Sequence, residues 1–356
     1  MFRWLPKLRI PWVRLGDWPT PIEKIFVDQR PIWIKCEGAS SPLYGGNKVR
    51  TLEAWLGHAR AAGFRKIWAM GAYGSNHAIA TILHARAVGL DAGAILFPQP
   101  HSEWAEENLS AMVATGADLM RLRSVIEVPF AGLRIARRDR HAIVMPPGGA
   151  TPVGTFGAMS AAFEVAEQVH AGIAPPPTRI VVAIGSTCTS AGLLAGFSLA
   201  HAIGAWPWSV PIVHAVRVTP WPVTSRVRTA HLALRSLQRI AQLGGPRNEI
   251  GLAQLVRRLV VDGDELGSGY GVVTRDCDRA MRRLANAGAP RLDGVYSGKA
   301  AAALLRLHGG AATRGAAAEA EAIMLWSTKS TVRLPPASDL RGAPAALREW
   351  FTSHPY

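Results

Sequence analysis

The chain has 356 residues, 49% of them hydrophobic, and a formal net charge of +15, which gives length enough for two domains or one large α/β unit with a sizeable core. Basic residues run along the whole chain, and the denser stretches "RIARRDRH" (134–141) and "RDCDRAMRRL" (275–284) hold no interleaved stacking aromatics. The charge therefore reads as a solvated coat, and nucleic acid is excluded as a partner. Cys36, Cys188 and Cys277 are odd in number and far apart, which fits neither a disulfide framework nor a cysteine metal site and points to a reducing cytoplasm.

The first 18 residues carry charges every few positions and lack an apolar run of signal-peptide length. After them, "GGNKVRTLE" opens a helix: from Lys48 the apolar positions Val49, Leu52, Leu56 and Ala59 recur at helical spacing, and Gly63 stops it. "KIWAM" (66–70) reads as a strand, residues 76–88 as a helix, "DAGAILF" (91–97) as a strand and 102–116 as a helix. "ADLMRL" and "HAIVMPP" give two further strands, and "VGTFGAMSAAFEVAEQVHAG" is a long helix closed by Gly172. "GIAPPPTR" (172–179) is the clearest linker-like break. The uncharged span Ile180–Val216 is long enough for a bilayer, yet "GSTCTSAG" and "WPWSVP" interrupt it with turn chemistry. It reads as buried strand, loop and helix, with no membrane role. "RIVVAIG" (179–185) within it has the continuous apolar character of a parallel strand buried on both faces. "PIVHAVRV" and "EAIMLWS" are later strands. Such alternation implies βαβ units and a parallel-rich α/β fold.

Three stretches carry candidate chemistry. The chain has seven lysines against thirty-three arginines, so the lysine at position 48 is conspicuous: unlike arginine, a lysine amine can be tuned into a nucleophile. It lies in the first turn of its helix, where the macrodipole disfavours a cation and lowers the amine's pKa. "GAYGSNHA" (71–78) places Ser75, Asn76 and His77 at the carboxyl end of a strand and the mouth of a helix, where α/β proteins bind ligands. "GSTCTSAG" (185–192) lies at a second such junction, where helix-start amides and hydroxyls suit an anion; it is neither a Walker loop nor a dinucleotide fingerprint.

"GGNKVRTLE", "GSNH" and "VYSGKA" together resemble the signatures of the D-cysteine desulfhydrase and 1-aminocyclopropane-1-carboxylate deaminase family, in order over roughly residues 20–332. The resemblance implies a pyridoxal 5'-phosphate enzyme of fold type II, tryptophan synthase β-like, with two three-layer αβα domains and the cofactor between them. Residues 53–160 would form the small inserted domain, and 1–52 plus 161–356 the large one. Lys48 matches the lysine that bonds the cofactor aldehyde and later moves the α-proton. Asn76 matches the asparagine on the cofactor's phenolic oxygen. Ser75 and His77 match residues holding the substrate carboxylate, Ser75 also lying close to the lysine. Gly185, Ser186, Thr187, Cys188 and Thr189 stand in the phosphate loop. Tyr296 matches a substrate-facing tyrosine, and Tyr270 resembles a second.

Ser297 occupies the position that contacts the pyridine nitrogen, glutamate in the deaminases and threonine in the desulfhydrases. A hydroxyl alone gives a weaker electron sink than a carboxylate, which favours β-elimination over cyclopropane opening. Two departures stand out. "LWSTKST" replaces His-Thr-Gly-Gly, so that Ser327 stands for the threonine and Lys329 for a glycine, and "KCEGAS" (35–40) replaces a more acidic stretch. The implied activity is a lyase acting on a small amino acid, D-cysteine desulfhydrase-like and giving a 2-oxoacid and ammonia. The alternatives are a deaminase opening the aminocyclopropane ring, or a silent binding protein that keeps the fold. No metal is implied, and a homodimer is expected by analogy.

Overall fold

The structure, a computed structural model, describes residues 1–312, 322–337, 339–341 and 343–352. Apolar strands alternating with helices sort into two sheets. β1 (Ile22–Val27) and β2 (Arg30–Cys36) form an antiparallel hairpin in which Val27 pairs with Arg30. Asp28 and Gln29 make its two-residue turn, with φ of 48° and 62°, the left-handed pair whose twist matches that of the flanking strands. Then come α1 (Asn47–Ala61), β3 (Lys66–Ala72), α2 (Asn76–Ala87), β4 (Asp91–Phe97), α3 (Glu103–Ala114), β5 (Asp118–Arg121), α4 (Val128–Arg138) and β6 (Ala142–Met145). Their strands build a parallel four-stranded sheet ordered β5-β4-β3-β6.

α5 (Pro152–His170) returns the chain to the larger sheet, followed by β7 (Arg179–Ile184), α6 (Cys188–Ala202), β8 (Ile212–Arg217), α7 (Arg226–Gln242), α8 (Leu252–Arg257) and β9 (Leu259–Asp262). α9 (Arg275–Asn286), α10 (Ser297–Ala312), β10 (Ile323–Ser327) and α11 (Ala345–Thr352) complete it. The six strands run β1-β2-β10-β7-β8-β9, parallel except for the hairpin. The span Ile180–Val216 is thus β7, α6 and β8, and among the described residues no helix is long and apolar enough to cross a membrane.

Most expected elements agree within a few residues; Glu321, at the head of "EAIMLWS", lies outside the described residues. The run "RIARRDRH" overlaps α4, a helix not anticipated from the sequence. It buries only Ala131 and Ile135, too narrow a stripe to stand out beside its arginines.

One core packs α5, α6 and α7 against the larger sheet, with Phe156, Phe163, Phe197 and Trp206 at its centre. A second packs α1, α2 and α3 on the smaller sheet and takes Leu347 of α11. The other face of the larger sheet is closed by α9 and α10. Beneath the start of α1 lies a buried ionic cluster. Arg50 Nε and Nη2 donate to Glu37 at 2.6 and 2.9 Å, and its Nη1 and Nη2 donate to Glu164 at 3.1 and 2.8 Å. Lys35 Nζ donates to Glu164, Gln168 and the Thr20 carbonyl at 2.5–2.7 Å. These two cations hold the Glu164 carboxyl down to about 2 against the opposing effect of burial. The unusual "KCEGAS" stretch is part of this support, with Lys35, Glu37 and Ser40 all buried.

Removing one partner of such a cluster strands the others without compensation. Arg50→Leu is expected to lower unfolding stability by about 3–5 kcal/mol. The check is the urea midpoint at unchanged m-value, with the exposed Arg279→Ala as a control near zero.

Candidate active site

Two of the motif turns and the "LWSTKST" stretch leave the carboxyl ends of parallel strands. Ser75 follows β3, Gly185 follows β7, and Ser327 ends β10. α1 presents Lys48 to the same region. A methyl group built on Gly148 would lie 3.7 Å from Lys48 Nζ and 2.0 Å from Ser186 Oγ. The lysine amine and the 185–192 turn are therefore neighbours across a glycine that no larger residue can replace. Gly148 and Gly149 both have positive φ, 64° and 68°, so the turn needs glycine for its backbone as well. Burial lowers the Lys48 pKa, with Cys188 opposing slightly. An amine so placed has a larger neutral fraction, the form that attacks an aldehyde.

The turn itself is strained. Thr187 adopts φ +72°, a costly conformation for a β-branched residue, and α6 starts at Cys188. The first amides of any helix have no partner within it, and these open at the positive end of a 15-residue helix. Asn47 Nδ2 donates to Thr189 Oγ1 at 2.8 Å, which ties the residue before Lys48 directly to the turn. Cys188 is sealed, its thiol 3.6 Å from the Gly149 carbonyl and its pKa raised by burial, as suits a packing residue. Ser190 Oγ is buried without a partner.

Ser75 caps α2, accepting from Ala78 N at 3.2 Å, and its hydroxyl proton remains free. Asn76 Oδ1 accepts from Tyr44 Oη at 2.7 Å and Asn108 Nδ2 at 3.0 Å, which fixes the amide and leaves its NH2 as the group on offer. His77 is buried, and neither ring nitrogen has a hydrogen-bond partner. Burial, assisted by Lys48, pushes its pKa down to about 3, so a neutral imidazole sits beside the lysine.

Tyr270 Oη and Tyr296 Oη are 2.7 Å apart. A methyl built on Gly185 would meet Tyr296 Cε1 at 3.0 Å, so this pair faces the phosphate-loop candidate from the far side. Ser297 is buried, its hydroxyl donating to Asp293 Oδ2 at 2.7 Å and accepting the Asp293 N–H at 2.7 Å. Ser327 is buried at the end of β10. Lys329 is buried too, its amine 3.9 Å from Glu107 and 5.8 Å from the Trp104 ring centroid, without a hydrogen bond. Burial lowers its pKa.

The sequence reading passed over Tyr44 and Asn108, which aim Asn76, over Asn47, which joins two motifs, and over Asp293. It also passed over Gly148 and Gly149, although "PPGGA" (146–150) offered a turn signal. Buried polar groups are normally hydrogen-bonded. Unpartnered His77 and Ser190 next to a lowered lysine and a strained amide turn fit a ligand with an aldehyde and an anionic end.

An α/β scaffold with such a site defines a carbonyl-cofactor enzyme. The sequence pattern of pyridoxal-phosphate dependent enzymes matches residues 13–317, and the chain belongs to that family. It is 31% identical to nocardicin C-9' epimerase of Nocardia uniformis subsp. tsuyamanensis, over 82% of this chain and 86% of the relative. It is 30% identical to D-cysteine desulfhydrase of Salmonella paratyphi A, over 83% and 88% of the two chains. A crystal structure described as an ACC deaminase homologue superposes with a TM-score of 0.73 at 26% identity, covering 94% of this chain and 95% of its own. The fold is therefore type II, the cofactor pyridoxal phosphate, and the protein an enzyme working on amino acids.

His77 gives a pH test. Its folded pKa lies below the ordinary 6.5, so as pH falls the unfolded chain takes up a proton that the folded one refuses. Its contribution is complete above about 6.5 and is lost as pH falls towards about 3. Unfolding free energy of the cofactor-free protein should drop by up to about 1.4 kcal/mol per unit below pH 6.5, and His77→Gln should flatten that slope in denaturant titrations between about pH 6.5 and 5.

Proposed function

We propose that this enzyme is a lyase that eliminates the β-substituent of a small amino acid, with D-cysteine as the first substrate to test. The reading is carried by one observation: the Lys48 amine, its pKa lowered by burial, lies across Gly148 from Ser186 of the strained 185–192 turn. In this reading Gly185 to Thr189 and the first amides of α6 hold the cofactor phosphate, and Asn76, held by Tyr44 and Asn108, gives its NH2 to the phenolic oxygen. Ser297 and Ser327 border the ring. Ser75 and neutral His77 hold the substrate carboxylate, while Tyr270 and Tyr296 face its side chain. The cleft lies between a small unit of residues 53–160 and a large one of 1–52 plus 161–356.

When bound, the cofactor would supply a pyridine ring able to accept an electron pair from Cα. Lys48 would take the α-proton, a step in which a placed base contributes about 10²- to 10⁴-fold. The Cβ–S bond then breaks and its electrons leave with sulfur. With one water consumed, D-cysteine yields pyruvate, hydrogen sulfide and ammonia. The 30% identity to D-cysteine desulfhydrase supports elimination over ring opening. We place the enzyme in the cytoplasm as a homodimer, by analogy, which sedimentation of the loaded protein tests.

Purified protein should be yellow, and borohydride should fix the cofactor on the peptide containing Lys48. Lys48→Ala should lose that adduct and cut oxoacid release by at least about 10²-fold. Screening D-cysteine, L-cysteine, D-serine, β-chloroalanine and aminocyclopropane carboxylate should give most oxoacid with D-cysteine. Exchange of the α-hydrogen with D2O but no oxoacid would replace the lyase with an epimerase, the activity named for one relative. Neither exchange nor oxoacid in coloured protein would favour a silent binding protein.

A further inference from the structure

The geometry points to Asp293 as a positioning residue that sets the charge of the cofactor ring through Ser297. This rests on the reading above, in which Ser297 meets the pyridine nitrogen. A serine hydroxyl has one proton to give and two lone pairs. Here the proton goes to Asp293 Oδ2 at 2.7 Å, and one lone pair accepts the Asp293 N–H at 2.7 Å. One lone pair is left. A ring nitrogen at Ser297 then meets an acceptor backed by a carboxylate, and only the protonated pyridine nitrogen has a hydrogen to give it.

The surroundings say why the acid is needed. Ser297 begins α10, and the positive end of that helix opposes a cationic ring. Asp293 counters it, with Oδ1 accepting from Val295 N at 3.0 Å and Tyr296 N at 2.7 Å and Oδ2 accepting from Ser297 N at 3.2 Å. The aspartate is buried, at 1% exposure, so its field is weakly screened. The titratable groups around it are Tyr44, Tyr270, Tyr296, Cys277 and Lys329. Lys329 is the cation among them, and its ammonium form is favoured by Asp293 more than by any other charge. Serine at 297 is therefore not a bare hydroxyl in place of glutamate; the carboxylate stands one hydrogen bond further back. The ring keeps a stronger electron sink than Ser297 alone would give.

The test is the ¹⁵N NMR shift of the ring nitrogen in protein loaded with ring-labelled pyridoxal phosphate, with circular dichroism confirming that each variant is folded. Wild type and Ser297→Thr should show the protonated-pyridine shift. Asp293→Asn, which keeps acceptors for the α10 amides, and Ser297→Ala, which keeps Asp293 itself, should both lose it. Because Ser297→Ala leaves the aspartate cap intact, the proposal stays testable even where Asp293→Asn unfolds. An unprotonated ring in wild type, or a wild-type shift in folded Asp293→Asn or Ser297→Ala, would overturn the role of Asp293. Folded wild type that takes up no cofactor would instead overturn the reading of Lys48.

Discussion

Arg50 forks into two buried carboxylates, Glu37 and Glu164, and the rest of the site depends on that clamp. Arg50 lies two residues after Lys48 on α1. Its partners come from the segment after β2 and from α5, so one guanidinium fixes the helix against both. The close approach is visible at Gly157, where an added methyl would stand 1.9 Å from the Arg50 carbonyl. A helix held this tightly cannot rotate to carry Lys48 into water. The cluster is thus the structural counterpart of a chemical need: a neutral amine at a fixed place. A buried ionic cluster contributes little net stability compared with a well-packed apolar core. Its directional hydrogen bonds define one orientation of α1, which apolar packing specifies less sharply.

The motif turns meet because strand ends from both sheets come together beside the start of α1. Local sequence made each turn legible: small or polar residues at the mouth of a helix, and for two of them a strand before. "GGNK", "GSNH" and "GSTCTS" were found in that way, as were most of the described strands and about half of the described helices, because a period of 2 or 3.6 is a local property. What was not legible is what depends on chain separation. Tyr44 and Asn108 meet Asn76 from 32 residues away on either side, and Asn47 meets Thr189 across 142. No short window contains such pairs. Gly148 and Gly149 were readable as a turn, but the reason for glycine at 148 is Ser186, which follows a strand of the other sheet, and at 149 it is Thr51 of α1.

"KCEGAS" and "LWSTKST" show the same limit from the other side. Both stretches depart from the family pattern, and the departures look alike in sequence. In the structure they differ in kind. Lys35 and Glu37 have hydrogen-bond partners and brace α1. Lys329 has no hydrogen bond and lies between Trp104, Glu107 and the neighbourhood of Asp293. The first change is absorbed by the scaffold, whereas the second leaves a buried amine beside the residues that border the site.

That contrast bears on how the cleft distributes charge. At the 185–192 turn, the strained Thr187 and the start of α6 supply partial positive charge from backbone amides, with no lysine or arginine between Gly185 and Gly192. Lys48 lies beside that turn with His77 next to it, and burial pushes both towards neutrality. At the other end, α10 begins with a second helix terminus of the same polarity, yet there Asp293 accepts its first amides and Ser297 joins it. Two like helix ends are thus given opposite tasks. One has no side-chain cap, and the other is capped by a carboxylate that offsets its positive end. A cofactor with a phosphate at one side and a basic ring nitrogen at the other has the polarity that this arrangement favours.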